Sequence, residues 1–273
     1  MNAEPPPCLI MVAPNGARRT KDDHPALPMT AAELATTAAS CLEAGAAAIH
    51  LHVRDRDGRH SLDVDAYRAA LAAIRGAVGG RMVCQITSEA VGRYSPAEQM
   101  AMVRALRPEA VSLAIRELAA DAESEPEAAR FFAWLAAERV RAQFILYDAA
   151  DVGRFNDLKA RGVVPGDSAF LLFVLGRYAT DQQSQPSELL PFLAALDPRD
   201  RWAVCAFGRR ESVCALTAAA LGGHSRVGFE NNLHLASGKM ADDNAALVAE
   251  AAAAAKRVGR RIADADAARR EVL

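Results

Sequence analysis

The segment Ile49-His50-Leu51-His52-Val53-Arg54-Asp55 places two imidazoles two residues apart. In a β-strand, residues i and i+2 point to one face, so His50 and His52 can approach a single metal ion while Leu51 and Val53 pack the other way. Two histidines and one carboxylate form a common ligand set for a catalytic divalent metal, with positions left open for substrate. The same spacing also suits two polar residues at a strand end, satisfied by backbone or carboxylate partners. What the pair faces depends on the elements that carry it.

Short apolar runs alternate with longer amphipathic ones. Strands are expected at 8–13, 47–53, 82–87, 110–115, 142–147, 169–175, 202–206 and 226–230. Helices are expected at 30–44, 64–78, from Ser95, and at 125–139, 149–161, 186–196, 210–221 and 242–258. Thr30 with Glu33 forms a capping-box pattern, Gly45 stops that helix, and Pro96 suits a first-turn position. Eight βα units with no linker-like break predict an α/β chain forming a single (β/α)₈ TIM barrel over residues 1–273, with a short helical tail from about 264. The rival is a doubly wound open sheet. The count of eight and a length near ~250 residues favour the barrel. No strand is followed by G-x-G-x-x-G or G-x-x-x-x-G-K-[ST], the phosphate-cradling patterns of nucleotide folds.

Half of the 273 residues are apolar, enough for one large core, and a net charge of −2 gives no electrostatic reason to bind nucleic acid or an anionic membrane. Five cysteines, an odd number with no C-x-x-C pair, read as buried thiols in a reducing compartment. The N-terminus lacks the charged and apolar blocks of a secretion signal. The alanine-rich run from Ala245 to Ala255 contains Glu250 and is too short to span a membrane. A soluble cytoplasmic protein is expected, with no nucleic-acid or membrane partner.

In a barrel the strands' C-terminal ends converge on the active site. Those ends carry Asn15; His50 and His52; Thr87, Ser88 and Glu89; Ser112; Gln143; Arg177; Arg209; and Arg226, Glu230 and Asn231. Strand eight closes the barrel beside strand one, next to strand two, so Glu230 is well placed as a third metal ligand. Arg226 and Glu230, four apart, would share a face of an extended strand. They could form an internal ion pair, or Arg226 could orient a catalytic group or bind a carboxylate. Arg18, Arg19 and Lys21 lie in the loop after strand one, on the same face. They suit either a solvated loop or an anionic substrate. Arg209 and Arg210 at the start of helix seven suit a phosphate or CoA anion, and Arg177 is grouped with Arg209 in that role. His24, His60 and His234 fall in polar loops and are expected at the surface. His224, before strand eight, is expected to be structural.

The segments Ala13-Pro14-Asn15-Gly16-Ala17, His50-Leu51-His52-Val53-Arg54, Gln85-Ile86-Thr87, Phe173-Val174-Leu175-Gly176, and Gly222-Gly223-His224 through Gly228-Phe229-Glu230 together resemble the beta-keto acid cleavage enzymes. The resemblance runs from about residue 8 to about residue 263, with its motifs in the same order. It implies a metal-dependent, usually zinc, TIM barrel that is typically a homotetramer. The implied reaction converts a beta-keto acid and acetyl-CoA, as co-substrate, into acetoacetate and a new CoA ester. By that likeness His50, His52 and Glu230 fall on the metal ligands, and Thr87 and Ser112 on substrate-binding hydroxyl positions. Arg226 falls on an arginine of the acid–base step. Asn15 and Gln143, from the strand ends, are expected to bind substrate as well. Two departures stand out. A family Asp after the metal-binding Glu is Asn231 here, and an amide is no general base. A family Glu that meets an ammonium-bearing substrate is Arg18 here, which argues for an anionic or neutral substrate.

The chemistry is coherent without the resemblance. A Lewis-acid metal on the keto oxygen would stabilise an enolate, whose carbanion attacks a thioester. Glu89 offers an alternative base, or is a solvated loop residue. Two other readings compete: a metal-dependent aldolase or hydrolase on the same barrel, and a non-catalytic ligand-binding barrel that lost its base at Asn231.

Overall fold

The structure is a computed structural model that describes residues 5–179 and 181–272. Met1–Glu4, within the stretch read for a secretion signal, and Leu273, the last residue of the expected tail, lie outside the described residues.

Eight parallel strands close into a barrel in chain order. They are β1 (Ile10–Val12), β2 (Ala48–Leu51), β3 (Val83–Thr87), β4 (Ala110–Ala114), β5 (Arg141–Leu146), β6 (Phe170–Leu175), β7 (Arg201–Ala206) and β8 (His224–Val227). Closure pairs Met11 of β1 with both Ala48 of β2 and Arg226 of β8. Around the barrel stand α1 (Ala31–Ala44), α2 (Val64–Val78), α3 (Pro96–Leu106), α4 (Glu125–Ala137), α5 (Ala149–Ala160), α6 (Leu189–Ala195), α7 (Glu211–Ala220) and α8 (Asn244–Arg257). The expected TIM barrel is the observed fold.

Local chemistry sets these boundaries. Thr30 Oγ1 accepts from Glu33 N at 3.2 Å while the Glu33 carboxylate accepts from Thr30 N at 3.0 Å, a reciprocal cap on α1. Ser95 and Glu98 repeat the device at α3, with Pro96 in its first turn. Gly45, at φ 115°, ends α1 in a conformation that costs glycine little.

Strand residues alternate between two layers. Ile49, Leu51, Ile86 and Val111 point outward and join Leu34, Ile74 and Val103 of the helices. Leu9, Met11, Ala48, Val83, Phe170 and Leu172 point inward. The tail residues Ala263, Ala265, Ala268 and Val272 pack with this inner set, closing the lower mouth of the barrel. Arg269 fastens the tail through Glu109 at 2.7 Å. The five cysteines are buried and unpaired. No helix among the described residues is long and apolar enough to cross a membrane.

Three expectations need correction. The eighth strand, expected at 226–230, runs His224–Val227 and turns away at Gly228. That residue has φ 136°, and a Cβ there would lie 2.5 Å from Ala13 O. Glu230 therefore sits in the turn after the strand, and its approach to Arg226 is not a strand-face relationship. The sixth helix begins as a tight turn at Pro186–Glu188 before α6. His24 and His60, expected at the surface, are buried. Two elements went unanticipated: an antiparallel ribbon of Val53–Arg54 with His60–Ser61, and a helical turn at Ile115–Leu118.

Candidate active site

His50 lies on β2 and points into the barrel with Ala48, as strand alternation requires. His52 is the first residue beyond that strand. Its backbone is pinned by Asn15, whose Oδ1 accepts from His52 N at 3.2 Å and whose Nδ2 donates to His52 O at 2.9 Å. Glu230 comes from the turn after β8. There Asn231 N and Asn232 N both donate to Gly228 O, and Glu230 N donates to Ala13 O at 3.0 Å. Gly16 lets the chain pass this carboxylate. It has φ 62°, and a Cβ would meet Glu230 Cγ at 2.6 Å.

Together these elements bring Glu230 Oε2 to 3.6 Å from His50 Nε2 and 3.5 Å from His52 Nε2, and the two Nε2 atoms to 3.2 Å from each other. One ligand atom from each residue lies within 4.8 Å of the others. Glu230 Oε2 is buried and has no hydrogen-bond partner. A buried, unpartnered carboxylate oxygen beside two converging imidazole nitrogens is a donor set that fits one divalent cation.

The surroundings hold these groups in register. His50 Nδ1 donates to Gln85 Oε1 at 2.8 Å, and Gln85 Nε2 donates to Gln143 Oε1 at 3.1 Å. Arg226 Nη2 donates to Glu230 Oε1 at 3.1 Å and to Cys205 Sγ at 3.2 Å. Burial raises the Glu230 carboxyl, but the Arg226 guanidinium outweighs it and holds Glu230 well below the usual carboxylate range. Burial, reinforced by Arg226, holds His50 well below the usual imidazole value. His60, read as a surface residue, stands behind His52. Its Nδ1 is 3.3 Å from His52 Nδ1 and its Nε2 2.9 Å from Glu89 O. Burial, with His52 next, lowers His60 to about 3.

The chain matches the model of the family described as "BKACE: beta-keto acid cleavage enzyme" over residues 7–273. The chain belongs to the beta-keto acid cleavage enzyme family. It is 32% identical over 268 residues to a 3-keto-5-aminohexanoate cleavage enzyme of Fusobacterium nucleatum, covering 96% of each chain. It is 30% identical over 265 residues to a 3-oxoadipate:acetyl-CoA acetyltransferase of Cupriavidus necator, covering 94% of this chain and 91% of that protein. Among solved structures, the apo structure of ObcA superimposes with a TM-score of 0.72 at 16% identity. It covers 90% of this chain and the chain spans 65% of ObcA, a likeness of fold.

In this family member, one cleft at the upper mouth is walled by His50, Glu230, Arg226, Thr87, Ser112, Glu89 and Arg177. All were singled out from the sequence. Ser112 Oγ is buried and unpartnered, and Thr87 Oγ1 accepts from Glu89 N at 3.0 Å. An adjoining cavity adds Asn15, Arg18 and Arg19 to Glu89, Arg177 and Glu230. Arg18 Nη1 lies 3.5 Å from Glu89 Oε1, and the Arg177 guanidinium lies 5.1 Å over the Phe207 ring.

Other expected residues stand back. Gln143 lies behind Gln85, with its Nε2 buried and unpartnered. Asn15 spends its amide on the backbone of His52 and Pro28. Asn231 is fully buried behind Arg226. Its Oδ1 accepts from Cys205 Sγ at 3.1 Å, and its Nδ2 donates to Arg226 O at 3.1 Å and Glu211 Oε1 at 3.3 Å. Arg209 is exposed on the loop before α7 and is not part of the cleft wall. His224 sits at the lower end of β8, where its Nδ1 accepts from Leu9 N at 3.0 Å, a structural role as expected.

Sequence reading missed Glu117, Tyr147 and His60. Glu117 and Tyr147 line the cleft. Glu117 follows β4 on the helical turn, and burial raises its carboxyl. Tyr147 immediately follows β5, a position that strand counting alone could have flagged. The turn signal Asp57-Gly58 could have folded His60 back toward His52.

Proposed function

We propose that this chain condenses a beta-keto acid with acetyl-CoA and cleaves the adduct into acetoacetate and a new acyl-CoA. Its substrate carries an anionic or neutral far end rather than an ammonium group. The observation that carries this reading is the convergence of His50, His52 and Glu230 on a cleft walled by Thr87, Ser112, Glu89 and Arg226. The name of the C. necator relative supports the reaction and pairs it with a dicarboxylate substrate.

His50, His52 and Glu230 would hold a divalent cation, best matched as zinc by two imidazoles and a carboxylate. Bound there, it supplies Lewis-acid polarisation of a keto oxygen. The remaining work falls to the chain's own groups. The hydroxyls of Ser112 and Thr87 hold the substrate carboxylate. Glu89, a carboxylate on the cleft wall, removes the proton between the two carbonyls. Asn231 cannot do so, because an amide is not basic and both ends of this one are engaged. The carbanion bonds to the acetyl carbonyl and expels CoA thiolate. The thiolate then attacks the original keto carbonyl, the adjoining carbon–carbon bond breaks, and the proton returns to yield acetoacetate and the new thioester. Arg226, buried with its Nε unpartnered, stabilises oxyanion charge as it forms. Arg177 and Arg209 offer positive charge to the CoA phosphates. Arg18, at the mouth of the cleft, meets the far end of the substrate.

A screen of beta-keto acids with and without acetyl-CoA, following acetoacetate and CoA-ester formation, tests the reading. Formation of both products only when acetyl-CoA is present is expected. Cleavage independent of acetyl-CoA would point to an aldolase or hydrolase instead.

A further inference from the structure

His60 has no place in the reaction outlined above, yet it is a buried titratable group in contact with a proposed ligand. It enters the barrel mouth on the ribbon that pairs Val53–Arg54 with His60–Ser61. Asp55 anchors the turn of that ribbon, with Asp55 N donating to Arg59 O at 2.8 Å. Arg93 Nη1 donates to His60 O at 2.8 Å, fixing the backbone from the other side.

The hydrogen-bond partners define where the protons lie. His60 Nε2 is 2.9 Å from Glu89 O, and a carbonyl only accepts, so Nε2 carries a proton. In the neutral ring Nδ1 is then bare. That bare nitrogen faces His52 Nδ1 at 3.3 Å, so His52 must carry its proton on Nδ1 to satisfy the contact. The His52 Nε2 lone pair is thereby left free, directed at Glu230 Oε2 and His50 Nε2. His50 reaches the same state by a shorter route, through Gln85.

We propose that His60 is a positioning residue that fixes His52 in its metal-binding tautomer through a relay running Glu89 O, His60, His52. Metal ligands commonly owe their tautomer and ring orientation to such an outer partner. The relay also joins the metal site to the backbone of the loop that carries Glu89. This inference rests on the reading of His50, His52 and Glu230 as metal ligands.

Two measurements on the full chain test it. The first is zinc affinity of metal-free protein, by competition with a chelating dye, for wild type, His60→Phe and His60→Asn. Phenylalanine fills the space without an acceptor, whereas asparagine can place Oδ1 where Nδ1 was. Zinc affinity is expected to fall roughly 10–100-fold in His60→Phe, and His60→Asn to retain most of it. Wild-type affinity in His60→Phe, or equal losses in both variants, overturns the relay. Failure of the wild type to bind zinc would instead overturn the metal-site reading. The second is ¹⁵N NMR of histidine-labelled metal-free wild type, which needs no variant. A protonated Nδ1 on His52 facing a bare Nδ1 on His60 is expected, and a bare Nδ1 on His52 overturns the proposal.

Discussion

Arg18 Nη1 lies 3.5 Å from Glu89 Oε1 across the mouth of the barrel. The residue assigned to the substrate's far end thus touches the residue assigned to its proton. Both are partly exposed, so the pair is weakly held and free to open for an incoming carboxylate. Arg18→Glu is expected to weaken a beta-keto diacid by roughly 10–100-fold in kcat/KM, the range for a charge-assisted hydrogen bond lost. An amino-bearing beta-keto acid should gain by comparison. Kinetics on the two substrates side by side check this, and an unchanged preference would remove Arg18 from substrate selection.

Glu89→Gln keeps the shape of the side chain and removes its basicity. Turnover is expected to drop by roughly 10²–10⁴-fold, the usual contribution of a positioned acid–base group. Metal content and substrate binding should change little, because the relay to His60 uses the Glu89 backbone carbonyl and not its side chain. Stopped-flow turnover together with calorimetric substrate binding separates the two effects. If Glu117→Gln has the larger effect, the proton belongs to that neighbouring carboxylate.

Chelation, His50→Ala and Glu230→Gln should each give protein with little bound metal, measurable by elemental analysis. Activity should fall by roughly 10³-fold, in keeping with the several kcal/mol of charge stabilisation a Lewis acid supplies. Added zinc should restore the chelated wild type and not His50→Ala. Activity that survives chelation with no metal present would contradict the assignment.

Glu211 gives a pH signature separate from catalysis. It is buried at the start of α7, where it accepts from Gly228 N, Asn231 Nδ2 and Asn232 Nδ2. Burial outweighs these donors and raises the carboxyl from 4.5 to about 8. The folded chain thus holds a proton that the unfolded chain releases above its ordinary value. This group's contribution is full below about pH 4.5, declines as pH rises, and is lost through about pH 8. Glu211→Gln should flatten that decline, with a Tm near wild type at pH 5 and above it at pH 9. Thermal melts across that range check the sign, and a Gln variant less stable than wild type at pH 9 would refute it.

The barrel was legible because its signals are local and repeated. Capping boxes at Thr30 and Ser95, short apolar strands and the His50–His52 spacing each follow from neighbours in sequence. Glu230 was legible as a strand-end residue, although its exact route was not. The turn at Gly228 depends on Ala13 O, a contact over two hundred residues away in the chain, which no local pattern encodes. His60 was misread for a similar reason. A histidine in a polar stretch looks solvated until the ribbon folds it over His52. Asn231 was readable as a residue type but not in orientation. Its amide turns back toward Cys205 and Glu211 because the buried carboxylate and thiol there need partners.

Arg54 holds the loop after β1 by a particular kind of grip. Its guanidinium donates to the carbonyls of Asn15, Gly16, Ala17 and Arg19, and to Gly58 O within its own ribbon. Carbonyls are common to every residue, so this anchor is indifferent to which side chains the loop displays. Arg18 stands in the midst of that stretch without being gripped itself. The arrangement separates the shape of the loop from its chemistry. The side chain at position 18 can be exchanged during evolution, or by design, while the end of β2 that carries His50 keeps its place.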